Sequence, residues 1–512
     1  MINYHKNCLK IIPAALLLLS ISACSDDNGT INPPKGELGE EWYAGGVAGT
    51  TFVAGSRAYQ QAMPVIENNP ELNRMFLRGE LIFEKDFVPT EGLGYHGLGP
   101  VYIRKSCIAC HPSYGGRSKR VDNFNTSDSR NGYLLMIYDP DSPTLALATK
   151  YFTGMTQTRA VPPFKAPIDE AGIKLSWLPY IDEHGNRYED GTPYSAGTSY
   201  EGTLIYPKIE ISQDAILFAD FDMSKHKASI EATIGIYGTG LLDAISDEDL
   251  RAQYALEQSR GYAPGIIGAD IDETGLNPYY PGVHPGRFTY LCTRATLDNG
   301  PGSNALWNIT NVTRPDRTSN YITEEYCTVM SKDLEVQLAL GMAEQEVFDH
   351  LFSKNLEPEM TQTDYEAFMM WHRGLAVPAA RNLDKEDVIR GKEIFYEIGC
   401  TACHRPSWTT RSNYLPLPEI SDQKIYPYTD LLRHDLDMYE PGRVKVCRTT
   451  PLWGRGLMPV VSGHSDMLHD LRARNYEEAI IWHGGEAKQP KEKFRKLSKS
   501  DRDALISFLK AI

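Results

Sequence analysis

"DKEDVIRGKEIFYEIGCTACH", Asp384 to His404, is the stretch whose reading decides the fold. Asp384 can cap a helix. Val388, Gly391, Ile394, Phe395 and Ile398 then recur at helical spacing, so the helix has one apolar face. Gly399 lets the chain turn out of the helix just before Cys400. The last five residues, "CTACH", return in form as "CIACH", Cys107 to His111. The chain has nine cysteines in 512 residues, and these two pentads use four of them.

A Cys-x-x-Cys-His run has three chemical readings. Two thiols spaced by two residues can bond the two vinyl groups of one porphyrin while the adjacent histidine reaches the iron. A structural zinc site wants four ligands in two short pairs close in sequence. Here the pairs lie about 290 residues apart and each has its own histidine. A redox-active dithiol needs a βαβ context, which neither copy has. Two covalently bound haem c groups are therefore expected, on Cys107, Cys110, Cys400 and Cys403, with His111 and His404 on the iron. The helix before Cys400 resembles the first helix of a cytochrome c. The chain also ends as cytochromes do: "LSKSDRDALISFLKAI" opens with a cap at Ser498 and Asp501 and carries an apolar stripe of Leu505, Phe508, Leu509 and Ile512.

Working outward, the length predicts more than one domain. Hydrophobic residues at 41% exclude a disordered chain, and a net charge of −15 argues against a nucleic-acid partner. At the N-terminus, Lys6 and Lys10 precede the apolar run "IIPAALLLLSI", too short to span a bilayer and the length of a signal-peptide core. "ISAC" follows and resembles a lipobox, with Cys24 lipidated. Asp26 and Asp27 next to it resemble a surface-export signal of bacterial lipoproteins. The expected plan is a lipoprotein signal peptide at 1–24, a flexible tether at 25–40, an N-terminal haem domain with elaborations at 41–385, and a C-terminal cytochrome c domain at 386–512. The fold class is mainly α, two cytochrome c-type haem domains. The first is enlarged by a long irregular segment, 120–385, with some short strands and no sustained helical period. Apart from the pentads no internal repeat is apparent. The localisation expected is the cell envelope, on the periplasmic side or the surface of the outer membrane, with membrane contact through the lipid alone.

A string of phrases runs along the chain in order: "GLGPVYIRKSCIACH" (97–111), "GTGLLDAI" (238–245), "GRFTY" (286–290), "YPYTDLLRHDL" (426–436), "CRTTPLWGRG" (447–456), "LHDLRA" (468–473) and "AIIWHGGEA" (479–487). In these the chain resembles the bacterial di-haem oxidoreductase family, often labelled peroxidase or thiol oxidoreductase. That family is similar to the di-haem cytochrome c peroxidases. The resemblance implies a helical protein with one haem per domain, one storing electrons and one meeting a small oxidant such as hydrogen peroxide. It also implies a periplasmic or surface electron donor, and a calcium ion between the domains. Three departures stand out. Leu436 replaces a methionine of the family phrase. No histidine occurs between His111 and His184, where the peroxidases carry a distal ligand. "NALWNITNVT", 304–313, lacks the glutamate those enzymes use on peroxide.

Met438, Met458, Met467, His434, His464, His469 and His483 are the candidates for the distal ligand of the second haem. The resemblance favours His483, which stands in the slot of the peroxidases' ligand methionine. For the first haem the residue types a peroxidase needs, a base and a cation, point to His96, His284, Arg287 and Arg294. Arg455 suits a haem propionate. Trp453 and Trp371 are candidates to lie near or between haems. His434-Asp435 and His469-Asp470 read as structural pairs. Of the remaining cysteines, Cys292 is expected to pair with Cys327, leaving Cys447. The function expected is an oxidoreductase of peroxidase type. The alternative is a non-catalytic electron-transfer cytochrome of the envelope, linked to iron uptake.

Overall fold

In the computed structural model of the chain the residues described are 29, 38–89, 97–114, 118–122, 124, 132–260 and 265–512. The signal peptide, Cys24, most of the tether and His96 lie outside them. About 36% of the chain is helix and 15% strand, so the architecture is mainly α. No helix of the described residues is long and apolar enough to cross a membrane.

Two helix pairs frame the molecule. Helix α1 (Pro70–Glu84) crosses α4 (Gln362–Gly374), and α5 (Glu386–Glu397) crosses α7 (Lys499–Ala511). Helices α2 (Asp247–Arg260) and α3 (Glu324–Ser331) fall between α1 and α4, and α6 (Tyr476–Ile481) between α5 and α7. Each crossing is built on a glycine. A Cβ on Gly79 would sit 2.1 Å from the Ala367 carbonyl oxygen and 2.6 Å from the Trp371 Cβ. One on Gly391 would sit 2.0 Å from the Ala504 carbonyl oxygen and 2.8 Å from the Phe508 Cβ. The preceding arginine clamps the partner helix in both: Arg78 Nε donates to Asp364 Oδ1 at 2.9 Å, and Arg390 Nε to Asp501 Oδ1 at 3.1 Å. Those aspartates occupy the third position of helices capped by Thr361 and Ser498, whose hydroxyls accept from the Asp364 and Asp501 amides at 3.1 and 3.2 Å. Four residues past the glycine, Phe83 stacks on Trp371 at 4.1 Å and Phe395 meets Phe508 edge-on at 5.4 Å. Burying side chains of this size stabilises each crossing by about 1.5–3 kcal/mol per residue.

The phrase Arg-Gly-x-x-Ile-Phe, at 78–83 and 390–395, is thus one packing device used twice, and the sequence does contain a repeat beyond the pentads. It hides because Cys400 follows Phe395 almost at once, whereas Cys107 lies about two dozen residues beyond Phe83. A second correction concerns Asp384. Helix α5 starts at Glu386 after Lys385, without a side-chain cap.

The middle segment does carry strands. β1 (Tyr133–Tyr138) pairs antiparallel with β4 (Lys227–Ala232), and β2 (Ile173–Tyr180) with β3 (Leu204–Ile211). It is more helical than its sequence predicts. The buried side of α2 consists of Leu250, Gln253 and Glu257, so no apolar stripe announces that helix. Gly300–Thr310 winds as a wide π-type helix, a form common at functional sites.

Candidate functional site: two cavities behind the pentads

The second pentad is set by Gly399, which adopts φ +98° and turns the chain from α5 into the tight turn Cys400–Ala402. Behind it lies a cavity with about 1340 Å³ of empty space, open solvent at its mouth included. Phe395, Cys400, Cys403, His404, His483 and Leu509 are among its walls. The His404 Nδ1 donates to the Tyr428 carbonyl at 3.0 Å and the His483 Nδ1 to the Ala479 carbonyl at 2.6 Å, which leaves both Nε2 atoms available. The two rings have centroids 6.4 Å apart. Two metal–nitrogen bonds of about 2 Å plus the radius of each ring account for that spacing. Burial drives the His404 ring down to about 3 and lowers His483 as well, so both are neutral and carry a lone pair for a metal.

The first pentad lines a cavity of about 1600 Å³, measured in the same way. Phe83, Cys107, Cys110, His111, Phe368 and His372 form one part of its wall. These correspond in place to Phe395, Cys400, Cys403, His404, Leu505 and Leu509 of the second cavity. His372 thus takes the position of Leu509, not that of His483. Burial pushes His111 down to about 4, opposed by the Ile234 backbone, and His372 down to about 3 with help from repulsion by His111. The buried Nδ1 of His372 has no hydrogen-bond partner. The other wall comes from β1, β4 and the π-type helix, and adds Met136, Glu231, Asn304, Arg294, Tyr321 and Arg443.

Burial also raises the thiols, to about 12 for Cys107 and Cys400 and about 11 for Cys110. A thiolate zinc site is disfavoured in such walls, whereas an uncharged thioether suits them. A smaller cavity of about 560 Å³, lined by Trp453, Met458 and Arg455, lies between the two. Tyr290, the last residue of "GRFTY", borders all three cavities.

The remaining candidates sort by their contacts. His434 is held between Asp430 (Nε2 to Oδ2, 2.8 Å) and Glu486 (Nδ1 to Oε2, 2.7 Å), and these bonds raise it far above the ordinary histidine range despite burial. An imidazolium has no lone pair for iron. Its partners are not the adjacent Asp435. His469 Nε2 donates to the Pro441 carbonyl at 3.0 Å. Met467 borders the second cavity, while Met438 sits in the core beside it. Arg455 donates to the Pro451 carbonyl and Thr450 and borders the second cavity. Trp371 packs in the α1–α4 crossing. His284 and Arg287 line neither haem-sized cavity. Both bind Asp247, His284 Nδ1 at 2.6 Å, and Arg287 also donates to the Ile245 carbonyl at 2.6 Å. Cys292 and Cys327 are free thiols. Cys327 is buried in α3, and Cys292 lies against the Leu431 carbonyl and near Cys447. Among the described residues, two clusters bring three ligand atoms together, Cys403–Asp430–His434 and Glu183–His184–Glu492. Each contains a histidine, unlike the all-oxygen set that calcium prefers.

The comparisons with known proteins bear on the same region. The model of a family described as "Di-haem oxidoreductase, putative peroxidase" matches residues 349–512. Residues 349–512 are thus similar to the di-haem oxidoreductase family. The matched span holds α4, with His372, and the whole wall of the second cavity apart from Tyr290. Among solved structures, one described as "Crystal structure of a MauG-like protein associated with microbial copper homeostasis" matches at 15% identity, over 44% of this chain and 71% of that one, with a TM-score of 0.25. No curated protein matches the chain in sequence. Haem is the cofactor of the family. Two deep cavities with largely apolar walls, each with two cysteines and a neutral histidine on its rim, fit that group.

Proposed function

We propose that this is an exported, lipid-anchored di-haem c-type oxidoreductase that reduces a small oxidant such as hydrogen peroxide. The observation that carries the reading is the pairing of each Cys-x-x-Cys-His with its own haem-sized cavity, in two settings that differ. When bound, each haem supplies a one-electron store and an iron face for chemistry. Cys107 and Cys110 would hold the first group and Cys400 and Cys403 the second, through thioethers. His404 and His483 would both ligate the second, which suits electron storage. His111 would ligate the first. Opposite the α1–α4 wall stand Glu231, Arg294 and Arg443, groups of the kind that move a proton and stabilise negative charge. In this reading His284 and Arg287 keep to the Asp247 cluster, and Arg455 would receive a haem propionate.

The difference between a cavity with a facing histidine and one with an acid and two arginines favours an enzyme over a pure electron carrier. Absorption spectra of the purified protein with and without cyanide test it. The expected result is that cyanide shifts one haem and leaves the other. If neither haem binds it in any redox state, the protein is an electron carrier instead. The anchoring rests on "ISAC" alone: Cys24→Ala is expected to release the protein from membranes, and wild-type protein in the soluble fraction would refute it.

A further inference from the structure

Glu231 is the sole carboxyl among the described residues that line the first cavity. Its direction is fixed by strand register. Glu231 pairs with Leu134, and with Met136 these side chains face the cavity, while Tyr133, Leu135 and Ile230 point into the opposite core. Glu231 is 6% exposed, and its buried Oε1 has no hydrogen-bond partner. The charged and titratable groups around it are Arg443, Arg294, Tyr321, Tyr290, His111, His372 and the thiols Cys107 and Cys110 on the cavity walls. The loop whose His469 carbonyl accepts from the Ala232 amide adds His469 and Asp470. None neutralises Glu231 by contact. Arg294 donates to Asn304 and the Thr293 carbonyl, and Arg443 Nε to the Leu145 carbonyl at 3.3 Å. Burial pushes the carboxyl up to about 7, with Arg443 pulling weakly the other way.

Packing does not explain such a residue. A leucine would fill the wall without the cost of burying an unpaired acid. A carboxyl left without a partner among largely apolar walls responds strongly to any change of charge nearby. We propose that Glu231 is the proton-exchanging group of the first cavity: it takes one proton from solvent when an external one-electron donor reduces the haem held at His111, and releases it when that electron leaves. The inference rests on the di-haem reading above. It also supplies a part of the chemistry that reading needs. Hydrogen peroxide becomes two waters with two electrons and two protons, and Glu231 delivers one of those protons.

The test is a spectroelectrochemical titration of the holoprotein from about pH 6 to about pH 8, with each haem followed at its own wavelength. The expected result is a first-haem potential that falls with pH, approaching about 59 mV per unit, the one-electron value for a tenfold change. The second haem should hold steady. E231Q is expected to flatten the first slope while keeping two covalent haems, and E231D to move the pH at which it is steepest. A flat wild-type slope overturns the proposal, as does a slope unchanged in E231Q, which assigns the proton to a haem propionate. An unmoved midpoint in E231D overturns it if E231Q does not assemble. A wild-type chain with fewer than two covalent haems refutes the di-haem reading itself, a separate outcome.

Discussion

The two cavities share one wall and differ in the other. In both, a glycine lets two helices touch, and a phenylalanine four residues on reaches the cavity beside a Cys-x-x-Cys-His. In the second, the far side is a histidine whose ring lies 6.4 Å from that of His404. In the first, the far side is a strand ribbon and a wide helix that bring a buried acid and two arginines. The same scaffold can set a second histidine or a set of polar groups across from the pentad, and the choice is made by chain inserted between its two helices. The insert is long in the first copy, between α1 and α4, and shorter in the second, between α5 and α7.

The largest effect expected is loss of a cofactor. Replacing Cys107 and Cys110 by alanine should remove half of the haem stain on a denaturing gel, and replacing Cys400 and Cys403 the other half. Acid–acetone should extract none from the wild type, and full extraction would break the comparison at its root. Next is His434, which exists only beside the second cavity. His434→Ala leaves Asp430 and part of Glu486 unpaired, so urea denaturation should show a loss of about 3–5 kcal/mol near pH 6. The sign with pH follows from the raised folded value. The contribution is full below the unfolded value of 6.5 and declines as pH rises toward the folded one. The gap between wild type and variant should therefore narrow from pH 6 to pH 9, and a widening gap would mean that His434 is neutral.

Smaller and more diagnostic is the pair Gly79→Ala and Gly391→Ala. Alanine gains helix propensity, up to about 1 kcal/mol, but its Cβ meets a backbone carbonyl that cannot swing aside. A net loss of about 1–3 kcal/mol is expected at each site. A clear difference between them in thermal unfolding would show that the crossings are not equivalent. The smallest effect is expected from His372→Leu, which copies Leu509 into the first cavity. It removes a buried ring nitrogen without a partner, so stability should hold or rise by about 1 kcal/mol, and the haem spectrum should stay unchanged. His483→Ala, in contrast, should turn one low-spin haem high-spin. A high-spin shift in His372→Leu would make His372 an iron ligand and the two cavities alike.

Much of this was legible along the chain. The pentads, the apolar stripe of α5 and the cap at Ser498 are local patterns, and local patterns survive in sequence. His483 was reached through its slot in a phrase. The first cavity was not legible in the same way. Glu231 reads as an ordinary strand residue, and His372 as the polar end of a helix. The polar candidates named from sequence, His284 and Arg287, sit on the Asp247 cluster, because residue type announces a charge and not its partner.

The sequence by itself determined where the two Cys-x-x-Cys-His pentads lie, which helix leads into the second and how the chain ends. Spacing of two, four or seven residues fixes such features through backbone geometry alone. Tertiary structure decided which histidine faces His404, that α1 and α4 repeat the crossing of α5 and α7, and which groups enter the first cavity. These depend on contacts between residues as much as about 290 positions apart, as Gly79 and Ala367 are. Side-chain direction, burial and pairing are set there, and no local pattern encodes them.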